Sequence, residues 1–137
     1  MAFELVSSAG TPFIYQIAAS GGVLKGQLVK AASNEVTPIA AAHTGETIVG
    51  LCMADTDAGA LAPIANVAGQ ILRIPIRSGI TKTTIVAADY GKLYDIVVTS
   101  GDMVIDLDDT TGGFLYPVHP APAGFADVMV ASTLLLF

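Results

Sequence analysis

What this chain lacks narrows it first. Only 13% of its 137 residues are charged, where an ordinary soluble domain carries about 25%. Six basic side chains face twelve acidic ones, for a net charge of −6. Lys25 and Lys30 are the nearest thing to a basic pair, so the clustered basic patch that nucleic-acid binding requires is missing. Tryptophan is absent, and the four tyrosines and five phenylalanines are dispersed; no stacked aromatic platform for a sugar is legible. A single cysteine, Cys52, excludes an internal disulfide framework, and its setting in "IVGLCMA" reads as a buried small hydrophobe. Such a chain is expected to be made inside a cell and to need no oxidising compartment.

Long hydrophobic runs are missing too. The longest uncharged stretch, residues 5–24, "LVSSAGTPFIYQIAASGGVL", is interrupted by Pro12, Gly21 and Gly22 and by several hydroxyl and amide side chains, so no membrane span is expected. The start, "MAFELVSSAG", carries no basic n-region and does not read as a secretory signal. What the chain does have is 53% hydrophobic residues and a mean hydropathy of +0.65. Its length suits one domain. With so few charges, small and apolar side chains must cover much of the exterior, as in a subunit whose outside becomes interface.

Apolar runs rich in β-branched residues recur about every ten positions, separated by Gly, Pro, Asn and Asp, which is the rhythm of a sandwich or barrel. The runs are 12–18, 27–31, 36–40, 47–54, 63–67, 70–76, 92–99, 102–108, 113–118 and 127–137. Residues 63–76 read as a tight hairpin around Ala68-Gly69, and "TSGD" at 99–102 as another turn. Pro75 points to a sheet edge or a strand end. The best helix candidate is 80–92, against which its β-branched residues count. "PVHPAPAG" at 117–124 reads as a proline-rich connector. The expected fold class is therefore all-β, or mostly β with at most one short helix: a compact β-sandwich or barrel-like domain over 20–137, with an extended N-terminal arm over 1–19.

Candidate chemistry is thin. His43 and His119 each stand in an apparent loop with no second histidine, cysteine pair or nucleophile elbow beside them, so each reads as a surface or structural histidine. "ADTDAG" at 54–59 places Asp55 and Asp57 two apart but lacks the remaining ligands of a calcium loop. "DLDDTTGG" at 106–113 is an acidic turn of the same ambiguous kind. Neither a phosphate loop nor a dinucleotide fingerprint is present. No catalytic residue, cofactor or metal is expected.

The order of features resembles a known family. "GGVLKGQLVK", then "EVTPIAAAHTGETIVGLCMADTDAGALAPIANVAGQILRIPI", then "AADYGKLYDIVVTSGDMVIDL" is similar to the small capsid decoration, or cement, proteins of tailed bacteriophages. The likeness runs over residues 20–108 and rests on the steps at 26–29, 49–59, 67–76 and 91–95; Ala60 departs from it, standing where the commoner form has an acid. The resemblance implies a non-enzymatic virion protein, a homotrimer on the outer surface of the capsid at three-fold and quasi-three-fold sites, clamping the major capsid protein. On that reading the arm touches the shell, with Phe3, Leu5, Val6, Phe13, Ile14 and Tyr15 as contact residues, since extended arms add to a partner's sheet edge. The alternatives are a head-fibre or host-attachment module that binds carbohydrate, and a small enzyme built on one of the histidines.

Overall fold

The computed structural model describes residues 2–6, 13–39, 47–131 and 135. Their β-branched and apolar runs form strands β1 (Glu4–Leu5), β2 (Phe13–Ala18), β3 (Leu28–Ala32), β4 (Glu35–Pro38), β5 (Ile48–Cys52), β6 (Leu61–Ala65), β7 (Leu72–Pro75), β8 (Asp95–Thr99), β9 (Asp102–Asp106), β10 (Leu115–His119) and β11 (Phe125–Val130). The only helical element among the described residues is a 3-10 turn, Ala87–Asp89. None is a helix long and apolar enough to cross a membrane. The chain is all-β.

Strands β2 to β6 close a small barrel in the order β2-β4-β3-β5-β6. β2 runs antiparallel to β6 and parallel to β4. Side chains alternate across each strand, so Ala18, Val29, Val36, Val49, Ala62 and Ile64 meet inside, with Ile14 packed against them. These are small residues because a five-stranded barrel has room for little else. Gly50 lies tight against β6: an added Cβ would collide with the backbone oxygen of Ala65. Only glycine fits there.

The second half is a four-stranded sheet, β1-β7-β11-β10, and the hairpin β8–β9. Ser100 and Gly101 both take positive φ, 50° and 86°, the left-handed pair a two-residue hairpin loop demands. One outer side of the barrel, carrying Leu28, Ile48, Leu51 and Ala65, packs against Leu72, Ile74, Ile96, Met103, Ile105, Phe114, Leu115 and Val128. Burying each of the larger of these side chains is worth about 1.5–3 kcal/mol. One core therefore joins the two halves, and among the described residues the opposite side of the barrel receives no such cover.

Three expectations are corrected. Residues of the expected arm are built into the sheets: β2 is a barrel stave, and Phe3 is 3% exposed, its N–H donating to the Gly26 oxygen at 2.9 Å. An apolar β-branched run such as "FIYQIA" gains more from closing a barrel than from lying free in water. Next, 63–76 is no hairpin. The turn exists, with the Gln70 N–H donating to the Val67 oxygen at 3.1 Å, but β6 pairs with β2 and β5 while β7 pairs with β1 and β11. The chain crosses there from barrel to sheet. Lastly, 80–92 holds only the 3-10 turn, as its β-branched residues favour. Pro75 does end β7, and a two-residue strand, β1, went unread.

Candidate functional site

The uncovered side of the barrel is the most distinctive surface. On β2, Phe13, Tyr15 and Ile17 project outward at every second position, 46%, 63% and 43% exposed. The register with β6 sets Leu61, itself 63% exposed, directly opposite Ile17, and Pro63 opposite Tyr15. Cross-strand neighbours on one face touch, so the four large side chains form one patch. Neither "FIYQIA" nor "LAPIA" contains a charged residue. Such a contiguous apolar patch on a small protein marks a surface that something else covers. Beneath it, the Oε1 oxygen of Gln16 is buried and accepts no hydrogen bond.

The six predicted contact residues divide. Phe13 and Tyr15 lie on this face, while Ile14, one position between them, turns toward the barrel interior. Phe3 belongs to the shared core and Leu5 packs against it. A buried Phe3 cannot meet a partner. Val6 is exposed but sits on the sheet half, its N–H donating to the Ile71 oxygen at 3.0 Å. Ile17 and Leu61 were missed. The period-two pattern from Phe13 would have found Ile17; Leu61 needed the β2–β6 pairing, which no local pattern encodes.

The acidic and imidazole candidates have structural partners. Asp55 accepts from the Lys25 N–H at 2.8 Å, and Asp108 and Asp109 accept from the Thr81 and Thr111 N–H groups. Among the described residues no three His, Cys, Asp or Glu side chains gather as a metal site would need. His43 lies outside the described residues. His119 places Nδ1 at 3.3 Å from Asp127 Oδ2 and 3.0 Å from the Pro120 oxygen. Both are acceptors, so Nδ1 carries the proton. Asp127 is already gripped by Arg73 through two bonds, at 2.8 and 3.1 Å, and that hydrogen bond holds the guanidinium above its ordinary range. The row Glu4, Arg73, Asp127, His119 thus crosses all four strands of the sheet. Cys52 is buried, its thiol pushed up by that burial, which makes it inert.

A second cluster was invisible in the sequence. Asp89, on the 3-10 turn, is wholly buried. Its Oδ2 accepts from the Val86 N–H at 2.7 Å and its Oδ1 from the Tyr94 hydroxyl at 2.6 Å. The Lys82 ammonium also bonds Oδ1, and lies 5.8 Å from the centre of the Tyr94 ring. Burial pushes the Asp89 carboxyl up, but the bonds from Lys82, Tyr94 and Val86 together outweigh it and hold it below the usual carboxylate range. Tyr94 moves up, chiefly by burial and then by its bond to Asp89. Lys82 moves up through its bond to Asp89.

This cluster pins the irregular segment 77–93, which forms one wall of a groove of about 330 Å³. Ile85 and Tyr90 face Pro120, Pro122 and Phe125 across it, and both rings are partly exposed. No known family model matches the chain, and no curated protein matches it either.

Proposed function

We propose that this protein is a structural virion subunit, a capsid decoration protein that binds the outside of a tailed-phage head and stabilises the shell. It acts as a homotrimer at three-fold and quasi-three-fold positions, touching the major capsid protein, and it carries out no reaction. The observation that supports this reading is the uncharged β2–β6 face, where Phe13, Tyr15, Ile17 and Leu61 stand exposed together. A free monomer gains nothing from keeping such a face in water, whereas a subunit docked on a shell covers it. The barrel suits that task, because the β2–β6 ladder holds these apolar side chains in one fixed register. The contact thus moves from a free arm to a rigid face.

The test pairs two measurements on the full chain. Light scattering behind a sizing column should give three times the 14.0 kDa of one chain, and the chain should co-pellet saturably with expanded heads of the cognate phage stripped of their decoration layer. The double variant Tyr15→Lys, Leu61→Lys should stay folded and lose co-pelleting. A monomer that does not pellet with heads overturns the proposal. The groove between Tyr90 and Phe125 favours a second reading, a host-attachment module binding carbohydrate, since two exposed rings are what sugar stacking uses. Signal on a glycan array that Tyr90→Ala abolishes would select it.

A further inference from the structure

The docking proposal makes no use of the Lys82, Asp89 and Tyr94 cluster, which is built around a buried carboxylate that accepts from three donors. The Asp89 side chain is shut off from water, and Lys82 reaches it with 30% of its own side chain exposed. Both carboxylate oxygens are held: Oδ2 by a backbone N–H, Oδ1 by a phenol and an ammonium together. An ordinary ion pair at a protein surface has none of this fixing and contributes little. Here the amine is held against a carboxyl group that is itself fully buried, with an acid–base group on the oxygen between them.

From this arrangement we propose that Lys82 and Asp89 condense into an intramolecular isopeptide bond. The ammonium passes one proton to Oδ1, and the freed lone pair on Nζ forms a bond to Cγ. The Cγ–Oδ1 bond then breaks, and Oδ1 departs as water, taking that proton and a second one released by the nitrogen. An ammonium and a carboxylate contain the atoms and charges of an amide and a water, so the step needs no other reagent. Tyr94 relays the second proton: its hydroxyl gives one to Oδ1 and regains one from Nζ. The Val86 N–H steadies Oδ2, where negative charge gathers while Cγ is tetrahedral.

One magnitude favours the step at this place. Fixing two reacting groups in contact gives effective concentrations of up to about 10⁵–10⁸ M, which turns a sluggish condensation into an intramolecular one. The link would tie residue 82 to residue 89 covalently and fix the segment that walls the groove.

Intact-mass spectrometry of the folded, purified full chain tests this. The expected mass is lower than that of the sequence by one water, and a digest should yield a branched peptide joining residues 82 and 89, with no cleavage after Lys82. Lys82→Arg, which keeps the charge but offers no amine, should restore the full mass. In freshly refolded chain, Tyr94→Phe should slow the loss of water about 100-fold, the scale of a missing proton relay, while leaving the final product the same. A folded wild-type chain at full sequence mass overturns the proposal whether or not any variant folds. A deficit that survives Lys82→Arg overturns it as well, because the water was then lost elsewhere.

Discussion

The two halves of this molecule solve the same problem with different means. The barrel, β2 to β6, fills its interior with Val, Ala and Ile, and leaves β2 and β6 without a single charge. The sheet half holds the larger core side chains, Phe114, Tyr94, Met103 and Leu72 among them. It also holds the ion pairs Arg73–Asp127, Arg77–Asp106 and Lys82–Asp89. Its buried acids, Asp89, Asp95, Asp106 and Asp127, all accept hydrogen bonds. In the barrel, by contrast, Gln16 Oε1 is the one buried side-chain oxygen among the described residues with no partner. One half has its polar groups settled, while the other is closed by packing and bare on one face. The difference separates the part that holds the fold from the part free to meet a partner.

If the sheet half carries the stability, the largest losses lie there. Phe114→Ala should cost about 3–5 kcal/mol, the usual range for emptying a buried phenylalanine site. Val36→Ala, inside the barrel, removes two methyl groups' worth of burial and should cost about 2 kcal/mol. Urea denaturation midpoints of the two variants measure both. Equal losses would erase the contrast, since the barrel interior would then be as decisive as the shared core.

The pH response sharpens the comparison from the sheet side. Tyr94 has its titration raised above the ordinary phenol value, near 10, and a raised group adds stability that is fully present below its unfolded value. That contribution is lost as pH rises through the higher, folded value. Stability should therefore hold steady to about pH 10 and then fall, as thermal midpoints across an alkaline series would record. Tyr94→Phe should be less stable at neutral pH and should lack this contribution to the alkaline fall. A Tyr94→Phe curve parallel to the wild type at every pH would mean that the hydroxyl contributes nothing through its proton.

How much of this was legible depends on the range of the interactions. Most strands announce themselves by local pattern: "FIYQIA", "KLYDIVVT" and "DMVIDLD" need only β-branched residues and a turn at each end. β1 is two residues long and exists because β7 is there to pair with it, so nothing local marks it. The expected hairpin at 63–76 failed for the same reason in reverse. Its turn chemistry was right, but the choice between pairing with a neighbour and crossing to another sheet is made by strands far away in the chain. The candidate face was half legible. Phe13 and Tyr15 could be named as exposed, while Leu61 joined them only through barrel closure, and Phe3 looked like an arm residue because nothing in "MAFEL" reveals the core that receives it. Lys82, Asp89 and Tyr94 fall within thirteen residues, yet no recognised motif spaces them so; it takes the 3-10 turn to aim the carboxylate inward.

Within the barrel, Gln16 offers a smaller and opposite effect. A buried oxygen without a donor costs about 1–3 kcal/mol, and its neighbours inside the barrel are apolar. Gln16→Leu should therefore raise stability, by about 1 kcal/mol after some loss to imperfect packing, seen as a higher urea midpoint with unchanged slope. A fall would show that the amide has a donor and that the barrel interior is as well settled as the sheet.

The smallest effect is the one on which the docking proposal turns. Tyr15 and Leu61 are 63% exposed each, so replacing them with lysine removes little buried area, creates no cavity and leaves no buried charge. The change in stability for each should stay within about 0.5 kcal/mol, and the lysine stems can still lie along the neighbouring apolar surface. A partner pressed against that face would respond very differently, because two ammonium groups at the centre of an apolar contact must be stripped of water. Unchanged melting together with lost association would mark the face as interface. Melting that collapses instead would mean that Phe13, Tyr15, Ile17 and Leu61 support the fold, and the contrast between a settled half and a waiting half would have to be drawn elsewhere.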